Sequence, residues 1–143
     1  MRSNRSMPRC SVIPELAYPD VEQAIDWLCK VFGFSLRLRI GAHRAQLNVR
    51  DGAVVLTKLQ EIEERDTGAA MGRADSVMVR VADVDSHCKH AAQNGARILQ
   101  PPTDYPYGER QYTTQDLAGR AWKFSQTIAD VAPEGWGGSA GLL

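Results

Sequence analysis

The sequence predicts an α+β fold, with two βαβββ modules forming a curved eight-stranded mixed sheet and the helices outside it. Three observations carry this. Residues 12–36 (VIPELAYPDVEQAIDWLCKVFGFSL) and 77–99 (VMVRVADVDSHCKHAAQNGARIL) repeat one pattern: a β-like run, an Asp-Val-acid step and an amphipathic helical stretch. Each helical stretch ends at a glycine, Gly33 or Gly95, and a new strand-like run follows. Each module then offers one helix for four strands, which leaves one face of its own sheet uncovered. Two modules side by side would make a concave face to be filled by side chains, a second subunit or a ligand.

Residues 1–10 are rich in Arg and Ser and read as a flexible leader. Module one is expected at 11–57. Its first strand lies within 11–18, where Pro14 suits an edge or end position. Asp20 is placed to cap a helix, with Glu22 in the first turn, where the helix dipole favours negative charge. Val21, Ala24, Ile25, Leu28 and Phe32 recur at three- and four-residue steps, one apolar face with Trp27 and Val31 at its margin. Gly33 is the expected C-cap. Strands follow at 34–40, 44–49 and 53–57. Gly41-Ala42-His43 separates the first two, and Asp51-Gly52 reads as the hairpin turn before the third. Residues 58–74 mix charge and small side chains without a strand period, which predicts an exposed linker.

Module two is expected at 75–127. Val77, Val79 and Val81 alternate with Ser76, Met78 and Arg80, a period-two strand. Asp83 is the second N-cap, and Val84, Cys88, Ala91 and Ala92 form a thinner apolar helix face ended by Asn94-Gly95. A short strand at 97–99 is expected to stop at Pro101-Pro102. Tyr105-Pro106-Tyr107-Gly108 reads as a turn between that strand and the next. Strands at 109–114 and 120–127 are joined by Asp116-Leu117-Ala118-Gly119. Residues 128–143 form a tail rich in Gly, Pro and Ala.

At 143 residues the chain is long enough for one domain with a real core, expected here at 11–137. Seventeen basic residues balance seventeen acidic ones, so overall charge gives no case for a nucleic-acid or anionic-membrane partner. No apolar run reaches the length of a membrane span, and MRSNRSMPRC lacks the apolar stretch of a secretory signal. The three cysteines, Cys10, Cys29 and Cys88, are odd in number and widely spaced. They suit a reducing compartment rather than a disulfide framework or structural zinc site, and the expected location is the cytoplasm.

The paired βαβββ pattern, the Asp before each helix, Gly33-Phe34 and Asp116-x-x-Gly119 resemble the vicinal oxygen chelate superfamily, the glyoxalase, bleomycin-resistance and extradiol-dioxygenase group. The stretch 107–137 (YGERQYTTQDLAGRAWKFSQTIADVAPEGWG) is similar to PhnB-like, glyoxalase-like members. The resemblance implies the glyoxalase/bleomycin-resistance fold and a homodimer. It also implies a divalent metal held by His, Gln or Glu at four inward strand positions, as a Lewis acid for a chelated substrate. Registered on the Asp before each helix and the Gly before the last strand, those positions fall near Ile13, Val55, Ser76 and Lys123. None belongs to such a set, and a one-residue slip in either direction still gives no site. No metal and no other cofactor is therefore expected.

The remaining chemistry-bearing groups are few. His87 and His90, at i,i+3, read as a solvated helix face rather than a metal pair. His43 reads as surface. Glu15 and Glu109 are the carboxylates placed to reach the concavity, with solvent or ion-pair roles as the plain reading. No nucleophile elbow or phosphate-binding glycine loop is present. If Val77, Val79 and Val81 face the helix, then Met78 and Arg80 face the concavity. Lys123 and Gln46 do likewise, with Tyr112 or Arg110 according to local register. Gln46, Met78, Arg80, Arg110, Tyr112 and Lys123 are thus the candidate ligand-binding residues, suited to a small anionic or polar aromatic molecule. The competing reading pairs Arg80 and Lys123 with Glu15, Glu109 or a partner chain. The function expected is metal-independent binding of a small molecule. The alternative is a lyase, isomerase or dioxygenase whose divalent metal is held by displaced ligands.

Overall fold

Asp20 starts the first helix by accepting a hydrogen bond from the Gln23 amide at 3.0 Å, and Gly33 ends it at φ +81°. Between them α1 (Val21–Phe32) buries Val21, Ala24, Ile25, Leu28, Val31 and Phe32, the predicted stripe with Val31 fully inside it. Trp27 and Phe34 contact Phe32 edge-on, at centroid distances of 5.0 and 5.7 Å. Truncating Leu28, which is wholly buried, would cost about 2–5 kcal/mol in lost transfer energy and residual cavity. The computed structural model describes residues 2–59 and 75–141, so most of the expected linker at 58–74 lies outside the described residues.

Two compact units result, one on each side of residues 60–74. In the first, β1 (Glu15–Tyr18), β2 (Ser35–Ile40), β3 (Arg44–Val49) and β4 (Gly52–Lys58) form a mixed sheet of order β1-β4-β3-β2. β1 runs parallel to β4 and the other pairs are antiparallel. In the second, β5 (Ser76–Arg80), β6 (Arg97–Tyr105), β7 (Glu109–Gln115) and β8 (Ala121–Thr127) repeat that plan as β5-β8-β7-β6, with β5 parallel to β8. Its helix, α2 (Val84–Gln93), is capped by Asp83, which accepts from the Ser86 amide at 3.1 Å. The predicted fold class is thus present as two βαβββ modules, their eight strands hydrogen-bonded as two mixed sheets of four. No helix among the described residues is long and apolar enough to cross a membrane.

The structure corrects four local expectations. The hairpin between β3 and β4 pairs Val49 with Gly52, so its loop is Arg50-Asp51, with Arg50 carrying the positive φ of 53°. β6 does not stop at Pro101-Pro102 but continues to Tyr105 as an edge strand. Its register shifts between Gln100 and Thr103, where missing proline donors break no required ladder bond. Ala92 is exposed, and His87 takes its place in the stripe Val84, His87, Cys88, Ala91. Finally, the leader is not free. The Met7 amide donates to the Asn4 carbonyl at 3.2 Å, and residues 5–7 are bonded to the first sheet. In the tail, Pro133–Trp136 forms a 3-10 turn, and Trp136 lies 5.2 Å from the Tyr107 ring.

Candidate functional site

In the second unit the β7–β8 turn sets which side chains share a face. Asp116 Oδ1 accepts from the amides of Ala118 and Arg120 at 2.9 and 3.0 Å, and Oδ2 accepts from Trp122 Nε1 at 3.0 Å. This clamp fixes the pairing Gln115–Ala121, and the antiparallel ladder then pairs Thr113 with Lys123 and Gln111 with Ser125. β5 adds Met78 beside Lys123 and Arg80 beside Ser125. Trp122 and Phe124 alternate to the other face, where His87 of α2 lies 4.1 Å from the Phe124 ring. The helix-free face therefore carries Met78, Arg80, Lys123, Ser125, Thr113, Gln111 and Glu109.

A directed chain of hydrogen bonds crosses that face. Tyr107 donates to Gln111 Oε1 at 3.1 Å, and Gln111 Nε2 donates to Ser125 Oγ at 3.0 Å. Ser125 in turn donates to Glu109 Oε1 at 2.7 Å. Gln111 and Ser125 are buried. Burial works to raise the Glu109 pKa, but hydrogen bonds from Thr127 and Ser125 and the charge of Arg80 prevail, so the carboxyl is held below its ordinary range. A carboxylate so stabilised is an acceptor and a counter-charge, not a proton donor near neutral pH. Beside this chain Lys123 is half-buried and enters no ion pair among the described residues, and Met78 is 60% exposed.

The sequence-predicted residues divide. Met78, Arg80 and Lys123 are brought together as expected. Tyr112 and Arg110 are not on that face, because the ladder assigns the even positions of β7 to the helix side. Tyr112 is buried, joined to His87 Nδ1 by a 2.6 Å hydrogen bond and stacked on Phe124 at 5.3 Å. Burial foremost, with Cys88 adding, pushes its hydroxyl pKa up. Arg110 is held by Asp104 at 2.6 Å and by Asp85 at 2.9 Å. His87 is accordingly a packed interface residue rather than a solvated one. Cys29 and Cys88 are free and partly buried, with thiol pKa values raised by burial first and then by Asp26 and Asp85 respectively. Gln111 was missed. Counting back from Asp116-x-x-Gly119 through a tight antiparallel turn would have paired it with Ser125 and found it.

Gln46 belongs to the first unit. It pairs with Val55, which pairs with Glu15, and on that face Arg44 bridges Glu15 at 2.9 Å, so Glu15 has the ion-pair role. Gln46 is only 3% exposed, with its amide held by Arg37 and by the leader.

The chain matches the model of the Glyoxalase/Bleomycin resistance protein/Dioxygenase superfamily over residues 11–124, and it belongs to that superfamily. More particularly, it is similar to TioX from Micromonospora sp. ML1. The identity is 39% and the TM-score 0.67, over 81% of this chain and 97% of that one. An uncharacterized protein of Mycolicibacterium smegmatis is 32% identical over 95 residues, covering 66% of this chain and 75% of that protein. A glyoxalase/bleomycin resistance protein/dioxygenase from Nocardioides shares the fold at 20% identity, with a TM-score of 0.66 over 90% of this chain and 87% of that one.

The metal that the superfamily resemblance implies does not fit the residues present. Ile13 and Val55 carry no donor atoms, Ser76 offers one neutral hydroxyl, and Lys123 brings a positive charge. Among the described residues no three His, Cys, Asp or Glu side chains are grouped to hold a metal ion.

Proposed function

We propose that this chain is a small-molecule-binding protein that works without a metal. It holds an anionic or polar aromatic ligand on the helix-free face of its second sheet. The observation that carries the proposal is Lys123. It stands near a position that the resemblance assigns to a metal ligand, half-buried, beside the exposed thioether of Met78, and without an ion pair among the described residues. An ammonium there supplies the positive charge that a metal would otherwise supply. It binds a ligand oxygen directly, while Met78 offers polarisable apolar surface to a ring. Arg80 on the same face is exposed and its charge helps to lower the Glu109 pKa, whereas Lys123 is half-buried and is the cation on which we place the ligand charge. A binding role needs no general base, consistent with the lowered Glu109 pKa. The finer likeness to PhnB-like members and the expected homodimer form part of the same proposal and rest on the family pattern. Light scattering showing only monomer at micromolar concentration would remove the dimer.

The test is calorimetric titration of chelator-treated protein with a panel of aromatic carboxylates. Binding should persist after chelation and weaken about tenfold in Lys123→Gln, one charge-assisted hydrogen bond converted to affinity. Stoichiometric divalent metal in the purified protein, with binding lost on chelation, would instead support the metal-dependent lyase, isomerase or dioxygenase.

A further inference from the structure

We infer that Arg37 and Gln46 form a carbonyl-reading site for neutral, amide-rich ligands, and that the leader segment at residues 5–7 is its resident and displaceable occupant. The site lies on the helix-free face of the first sheet, and the inference does not rest on the reading of Lys123. Its geometry starts from a bulge. Leu36 pairs with Leu47 and Leu38 with Gln46, so Arg37 is the extra residue, and the register shift turns its side chain onto Gln46. Arg37 Nη1 donates to Gln46 Oε1 at 2.6 Å. That bond fixes the Gln46 amide so that Nε2 points outward as a donor. Arg37 Nη2 is the second donor.

Three consecutive main-chain carbonyls meet these two donors. Arg37 Nη2 donates to the Arg5 and Met7 oxygens at 3.0 Å each, and Gln46 Nε2 donates to the Ser6 oxygen at 3.0 Å. Met7 Sδ lies 3.9 Å from Gln46 Nε2. The site therefore reads carbonyl oxygens at peptide spacing rather than side-chain identity. A planar guanidinium beside a carboxamide, with one acceptor already satisfied internally, presents donors only, and the acceptors it holds here are neutral amide oxygens. The leader is a weak occupant. Residues 5–7 are exposed, and each bond to them is a net small gain offset by the entropy of ordering a chain segment. A molecule carrying several carbonyls in a pre-organised array would replace it without that ordering cost.

Limited trypsin digestion of the full chain, followed by mass spectrometry, tests this at the Arg5–Ser6 bond. Arg37→Met and, as a shape-conserving second variant, Gln46→Glu should each speed that cleavage about tenfold, since proteolysis tracks the open population. Blocked triglycine (N-acetyl, N-methylamide) should speed it saturably in the natural chain and leave both variants unchanged. The Gln46 side-chain amide signals should shift in parallel by NMR. Unchanged cleavage in both variants would overturn the docked leader. Faster cleavage in the variants with no response to blocked triglycine would make residues 5–7 a fixed strap and overturn the ligand site. Equal acceleration by acetate would overturn the carbonyl class in favour of an anion.

Discussion

Asp116→Asn is the substitution that most directly probes how the Lys123 face is held in register. The aspartate satisfies three donors, with one oxygen serving the turn amides of Ala118 and Arg120 and the other serving the indole of Trp122. Asn has a single acceptor oxygen. Placed toward the turn, it leaves its NH₂ against the indole N–H, and placed toward the indole, it leaves the NH₂ against two amide N–H groups. Trp122 is fully buried, so water cannot replace the lost acceptor. One orphaned buried donor costs about 1–3 kcal/mol, and losing the charge on the remaining bonds brings the total to about 2–4 kcal/mol. Urea unfolding followed by tryptophan fluorescence would read this as a lower midpoint at unchanged slope. The control is a double-mutant cycle with Trp122→Phe, which removes the indole donor and should recover about 1–2 kcal/mol of the Asn penalty. A loss below about 0.5 kcal/mol, or an equal loss in both backgrounds, would refute the clamp.

Two further predictions concern the same unit. Gly108 has φ +88°, and a Cβ there would lie 2.3 Å from the Ala129 carbonyl oxygen, so Gly108→Ala should destabilise by about 3 kcal/mol through backbone strain and displacement of the tail. A urea midpoint within error of the natural chain would contradict it. Asp83, Asp104 and Glu109 have folded pKa values lowered from 3.8, 3.8 and 4.5 respectively. The Ser86 amide leads for Asp83 and the Arg110 hydrogen bond for Asp104. At Glu109 the bonds from Thr127 and Ser125, with Arg80, overcome burial. Because the folded values lie below the unfolded ones, the stability they add is complete above the ordinary carboxylate range and is lost as pH falls through the lowered values. The urea midpoint should therefore be flat near neutrality and decline on acidification from the Glu109 reference upward in acidity, with a shallower decline in Glu109→Gln. An identical acid profile in that variant would refute the Glu109 contribution.

What was legible in the sequence follows from the range of the interactions involved. Asp20, Asp83 and Gly33 act on backbone groups a few residues away, so both helices could be read with their caps. The alternation of Val77, Val79 and Val81 needs only the pleat, so Met78 and Arg80 were placed correctly. The faces of Arg110 and Tyr112 are not legible, because a strand's face is fixed by its neighbour's register, and that depends on a turn geometry that composition does not state. β6 was cut short because proline disfavours a central strand, whereas its edge position exists only in the folded sheet. The packing of His87 is not legible because its partners, Tyr112 and Phe124, come from strands far along the chain. The bonds of the leader are hidden for the same reason, since Gln46 Nε2 and the Ser6 carbonyl are 40 residues apart.

The two modules repeat one topology, and the chemistry differs because their helix-free faces are finished differently. In each sheet the helix covers one side and the other must be satisfied by whatever the sequence supplies. On the first sheet Gln46 is a buried polar residue, tolerable only because Arg37 and three leader carbonyls use the amide and the guanidinium beside it. Remove the leader and those donors must find water or a ligand. On the second sheet Gln111 and Ser125 are satisfied internally by a chain that ends at Glu109, and no external acceptor is needed. The cations on that face are the half-buried Lys123 and the exposed Arg80, neither of them in an ion pair among the described residues. At the positions that the resemblance assigns to metal ligands, Ile13 and Val55 offer no side-chain donor and Ser76 a single neutral hydroxyl. The first face thus holds its two outward donors under the leader, and the second leaves Lys123 beside the exposed thioether of Met78.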